Sequence, residues 1–154
     1  MKAYYLWGEV HTVCIEEVIS SGLDETLSGP HHAVTQICVL KPKVIYLEGT
    51  RKTYNRHDPR LKVAHELNAT IIFLDERIYK SKRYLLMSNM FPKLTKTYIR
   101  ELRETAWLEN LLQHGDGFVV MGAAHVDGVK RKLESAGQQV VVAYNANDTM
   151  FARY

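Results

Sequence analysis

The stretch Gly117-Phe118-Val119-Val120-Met121-Gly122-Ala123-Ala124-His125-Val126-Asp127 decides the fold. Its apolar run, Phe118–Met121, is too short for a helix and is apolar on both faces, as a strand buried between helices must be. A small-residue turn follows, and then a helical pattern over Val126–Ala136 that Gly137 would stop. Working outward, the same grammar repeats. Ala3–Trp7, Val44–Leu47, Thr70–Leu74 and Val140–Tyr144 read as further short strands. Helix-like stretches over Val13–Ser21, His31–Leu40, Arg60–Leu67 and Lys93–Gln113 lie between them, and Gly49–Asp58 reads as a loop. Strands alternating with helices imply βαβ units, so the sequence predicts an α/β fold with a mainly parallel sheet of about five strands flanked by helices. With 154 residues and no linker or internal repeat, it predicts one domain over residues 1–154.

In a parallel sheet all strand carboxyl ends share one edge, where open α/β sheets bind ligands. The residues just past the expected ends are Glu9 and His11, Glu48, Asp75, His125 and Asn145. Glu9 and His11 are two apart, so on an extended chain they point the same way and would act as metal ligands or as a base with its orienting carboxylate. A surface pair at a strand end fits the same residues. His125 lies near a helix N-terminus, whose dipole disfavours imidazolium. A neutral ring there would serve as base or metal ligand, or simply as a core or capping histidine.

On the fourth helix Ile99, Arg103, Ala106, Trp107, Asn110 and Leu111 share one face. A guanidinium in that apolar stripe needs a partner, Glu9 or Glu48 or an anionic substrate group, unless it reaches solvent. Glu48 closes the strand Val44–Leu47 and would otherwise be a cap. Asp75 with Arg77 reads as a local ion pair of under about 1 kcal/mol.

Composition excludes several classes. The net charge is +3, from 20 basic and 17 acidic residues, which weighs against nucleic acid as a default partner. Arg77, Lys80, Lys82 and Arg83 with Tyr79 and Tyr84 read as a solvated face rather than a stacking patch. Cys14 and Cys38 make no disulfide framework. The sequence has no Gly-x-Gly-x-x-Gly, P-loop or Gly-x-Ser-x-Gly signature. No stretch reaches the roughly 18 apolar residues of a membrane span, and Met1–Trp7 is too short for a signal peptide. The expectation is a soluble, cytoplasmic chain without a membrane segment, for which a homodimer is open.

Leu6-Trp7-Gly8-Glu9-Val10-His11-Thr12 and Val120-Met121-Gly122-Ala123-Ala124-His125-Val126-Asp127-Gly128-Val129 resemble the two Gly-x-x-His motifs of the TraB/PrgY/GumN family, within the superfamily of Tiki proteases, erythromycin esterases and haem-binding ChaN proteins. Tyr46-Leu47-Glu48 is similar to its strand-end glutamate, Phe73–Ile78 to its Asp-Arg segment and Arg103-Glu104 with Trp107, Glu109 and Asn110 to its helical Arg motif. The resemblance implies an α/β fold with a polar centre at one sheet edge, and metal-dependent peptide cleavage or water-mediated ester hydrolysis. The chain is short for that family and lacks the C-terminal membrane segment of several relatives. The expected centre is therefore a hydrolase site of Glu9, His11, Glu48, Arg103 and His125. In it Glu9, His11, Glu48 and His125 would hold Mn²⁺, Co²⁺ or Zn²⁺, or a water, against a small-molecule or peptide substrate. The alternative is a module binding a small molecule, haem or a peptide without turnover.

Overall fold

The computed structural model describes residues 2–9, 30–76, 78 and 96–146. The elements are β1 (Tyr4–Glu9), α1 (Pro30–Leu40), β2 (Val44–Leu47), α2 (Pro59–Glu66), β3 (Thr70–Phe73), α3 (Lys96–His114), β4 (Phe118–Gly122), α4 (Val126–Ser135) and β5 (Val140–Asn145). Single 3-10 turns occupy Arg51–Thr53 and Ala123–His125. The expected helix over Val13–Ser21, His11 and the basic run from Arg77 to Arg83 lie outside the described residues.

The five strands form one sheet in the order β3-β2-β4-β1-β5, with every pairing parallel. The α/β architecture read from the sequence is the one observed. From β1 through β2 to β3 the chain steps one way along the sheet, and from β3 through β4 to β5 it steps back. Right-handed crossovers require the two directions to place their helices on opposite faces. They do. One face packs Trp7, Ile45, Leu47, Phe118 and Val120 against Ala33, Ile37, Val63 and Ala64 of α1 and α2. The other packs Tyr4, Leu6, Tyr46, Val119 and Met121 against Trp107 and Leu111 of α3 and Val126, Val129 and Leu133 of α4. Both sets alternate along each strand with the period of 2 that a pleated backbone imposes.

Local signals place the ends. Asp58 caps α2 by accepting from the Arg60 amide, with Pro59 at the first helical position. Gly137, at φ +79°, follows the last turn of α4 as expected. Three strand ends run past the expected ones: Glu9 pairs with Gly122, which puts them in β1 and β4, and Asn145 closes β5 opposite Gly8. Among the described residues no helix is long and apolar enough to cross a membrane.

Gly8 sets how closely the β4–α4 connection packs on β1. A Cβ there would lie 2.6 Å from Val126 Cγ2 and 3.1 Å from Ala123 Cα. Val126 is fully buried, with no room to retreat. Gly8→Ala is expected to lower stability by about 1–3 kcal/mol in urea unfolding, the usual cost of overpacking. An unchanged midpoint would show that this contact is loose.

Candidate functional site

The connections out of β2 and β4 leave in opposite directions and on opposite faces, the topology that in open α/β sheets leaves a crevice between the carboxyl ends. Glu48 and Gly122 stand at that crevice. The Glu48 amide donates to Val120 O at 3.0 Å, continuing the ladder one residue past β2. Its carboxylate then reaches across, and Oε2 accepts from the Gly122 amide at 2.5 Å. A carboxylate is thus tied to the backbone at the position where open α/β sheets as a class bind ligands.

Arg103 and His125 converge on Glu48 from the α3 and α4 side. Arg103 donates through one terminal nitrogen to Glu48 Oε1 at 2.9 Å and to Asp75 Oδ2 at 2.8 Å, and through Nε to Asp75 Oδ1 at 3.3 Å. Asp75 is fully buried. It also accepts from Trp107 Nε1 at 2.8 Å and the Gly49 amide at 2.7 Å. Buried charge is tolerated when so bonded. The Arg103 guanidinium lies 4.9 Å from the Trp107 ring centroid, and the His125 ring meets the same indole edge-on at 4.6 Å. His125 Nε2 stands 3.5 Å from Glu48 Oε1, long for a hydrogen bond. Its Nδ1 lies 3.0 Å from Glu104 Oε1. His125 is the N-cap residue of α4, but its side chain caps nothing, which leaves the ring for these contacts.

Glu9 joins a different cluster. Strand alternation turns it to the α1 and α2 face, where Oε2 accepts from an Arg60 terminal nitrogen at 2.9 Å. Arg60 also donates to both oxygens of Asp58, at 3.0 and 2.8 Å, and lies 5.2 Å from the Tyr54 ring centroid. The Tyr54 hydroxyl donates to Glu48 O at 2.5 Å, linking the two clusters through the β2 end. Glu9 Oε1 is buried without a hydrogen-bond partner among the described residues. Burial outweighs the attraction of Arg60, whose charge Asp58 already shares, and Asp58 and Glu48 add repulsion. The Glu9 carboxyl is pushed up to about 7.

The structure therefore brings together Glu48, Arg103 and His125 of the expected set. Glu9 sits on the other face, and His11 lies outside the described residues. Arg103 takes Glu48 and Asp75 rather than Glu9, and Asp75 is a buried anchor instead of an exposed local pair. Sequence reasoning passed over Lys132, Arg60, Asp58 and Tyr54, and met Glu104 only as the neighbour of Arg103 in the helical motif. The signal for Glu104 was Gly128 in the interior of α4, where a residue without a side chain makes room for something else.

Among the described residues no three histidine, cysteine, aspartate or glutamate side chains are grouped to hold a metal ion. Of the expected ligands, Glu48 faces a guanidinium and an amide, His125 Nδ1 faces Glu104, and Glu9 faces Arg60. A guanidinium against Glu48 opposes a second cation there. Among the described residues these donors are each held by a group of the chain and do not gather around one point. Set against known protein families, curated proteins and solved structures, the chain finds no match.

The Glu9 shift has a sign that thermodynamics can read. A carboxyl at about 7 in the fold and 4.5 when free holds its proton longer in the folded state. Its contribution to stability is complete below about pH 4.5 and is lost as pH rises through about 7. Relative to Glu9→Gln, the wild type is expected to lose stability over that interval, on the order of 1–3 kcal/mol, in unfolding curves taken from pH 4 to 8. Parallel curves for the two proteins would contradict the shift.

Proposed function

We propose that the crevice between β2 and β4 is a hydrolytic centre for an ester or peptide bond, with His125 and Glu48 activating a water. The observation that carries the reading is His125 Nε2 held 3.5 Å from Glu48 Oε1, beside Arg103, at the carboxyl edge of a parallel sheet. A water bonded to both atoms would give its proton to Nε2 as its oxygen attacks the substrate carbonyl. Arg103, already ordered by Asp75 and Glu48, places fixed positive charge beside the developing oxyanion without reorganising. His125 then returns the proton to the leaving alkoxide or amine, giving a carboxylic acid and an alcohol or amine. Glu9, poised near neutrality on the adjacent strand, is a second group able to exchange protons at this edge. The resemblance of the segments around Gly8 and Gly122 to the TraB/PrgY/GumN motifs supports the same reaction class.

One observation favours a second reading. The carboxylates of Asp75, Glu48 and Glu104 are all engaged by cations or amides of the chain itself. Such a network can hold a small-molecule or peptide ligand without turning it over.

A panel of aryl and alkyl esters and short peptides separates the two. Hydrolysis is expected in the wild type, with kcat/KM falling about 10²–10⁴-fold in both His125→Ala and Glu48→Gln. Activity that survives both replacements would remove this mechanism. A blank panel together with ligand-dependent thermal stabilisation that His125→Ala abolishes would establish the binding module instead.

A further inference from the structure

Glu104 is 2% exposed, and its carboxylate is taken by His125 and Lys132, so the mechanism above leaves it without work. It follows Arg103 on α3, about 100° further round the helix. Its carboxylate enters a cradle made by one face of α4. Residues 125, 128 and 132 lie on that face at the i, i+3 and i+7 spacing of a helix. His125 Nδ1 meets Glu104 Oε1 at 3.0 Å, and Lys132 Nζ meets Oε2 at 3.3 Å. Lys132 is bound in turn by Glu101 at the surface. Gly128 lies beneath. A Cβ at that position would stand 2.1 Å from Glu104 Oε2 and 2.7 Å from Cδ, so no other residue leaves room for the carboxylate. Glycine inside a helix is unfavourable relative to alanine, and nothing else in α4 asks for it.

We propose that Glu104 is a positioning residue that fixes the His125 ring and its tautomer, with Gly128 and Lys132 as the parts that hold the carboxylate in place. The inference rests on the hydrolytic reading for its purpose, but not for its test. A carboxylate paired with Lys132 only accepts, so Nδ1 carries the hydrogen. The lone pair of the neutral ring is then on Nε2, aimed at the Glu48 side where a base is needed. The same contact stops the ring from flipping about Cβ–Cγ. Glu104 meets His125 and Lys132, and it acts through His125.

The test reads the tautomer directly. Nitrogen-15 spectra of the imidazole, recorded at a pH where His125 is neutral, distinguish a protonated Nδ1 from a protonated Nε2. The wild type is expected to show Nδ1–H as the dominant neutral form. In Glu104→Gln the ratio shifts at least tenfold towards Nε2–H. Gly128→Ala is the second variant. It removes no polar group, raises helix propensity and displaces the carboxylate, so it covers the case in which Glu104→Gln does not fold. It is expected to shift the tautomer in the same direction. Where the wild type hydrolyses a substrate, both variants lower kcat about 10–100-fold with KM unchanged. Nε2–H in the wild type, or an unchanged ratio in the variants, overturns the proposal. Absence of turnover in the wild type with the tautomer shift intact instead counts against the hydrolytic reading alone.

Discussion

The buried carboxylate of Asp75 is the constraint on which the site depends. It sits just past β3, fully out of solvent, and it binds three groups from two separate parts of the chain: the Gly49 amide after β2, and the Arg103 guanidinium and Trp107 indole one helical turn apart on α3. A charge in that position is tolerable only with all these bonds made, and removing one partner leaves the other uncompensated. The interaction therefore welds the loop leaving β2 to the long helix that covers the sheet. It also aims Arg103, which has one terminal nitrogen on Asp75 and the same nitrogen on Glu48. Trp107, held by Asp75, provides the surface against which both Arg103 and His125 rest. Glu48 and His125 owe their separation to that frame.

The sheet divides the polar residues into two sets. Glu48, Asp75, Arg103, Glu104 and His125 belong to the α3 and α4 side, and Glu9, Arg60 and Asp58 to the α1 and α2 side. Their electrostatics differ accordingly. On the first side each carboxylate has a cation or an amide within hydrogen-bond range. On the second, three carboxylate oxygens share one guanidinium, and a fourth, Glu9 Oε1, is buried with no partner among the described residues. An uncompensated buried oxygen is costly, and protonation is the cheapest way to lower that cost. The rigid network and the titrating carboxyl are thus neighbours across one strand edge. The first supplies orientation and fixed charge, the second a proton that moves near neutral pH.

Much of this was legible in the sequence. Short runs apolar on both faces, joined by helical patterns, carry the parallel α/β fold because burial between two helix layers permits little else. The strand-end rule found Glu48 and His125 without any long-range information, and the apolar stripe of α3 found Arg103. What escaped was the pairing. Glu9 and Glu48 both end strands, and either would serve a buried arginine. Which face each one occupies depends on β4 entering the sheet between β1 and β2, a contact between residues more than a hundred positions apart. The partners of Asp75 were hidden for the same reason: Arg77, two residues on, offers a local explanation, and nothing nearby in sequence announces Trp107 and Arg103. Gly128 was the legible trace of Glu104, since a glycine in the middle of a helix asks what occupies the space.

The most direct measurement on this account is a double-mutant cycle between Asp75 and Arg103, using Asp75→Ala, Arg103→Ala and the pair, with stability read from denaturant unfolding. If the buried carboxylate and the guanidinium anchor the site together, the coupling energy is about 1.5–3 kcal/mol and each single variant costs nearly as much as the pair. A coupling below about 0.5 kcal/mol, with the single effects simply adding, would contradict the claim that this interaction organises the sheet edge.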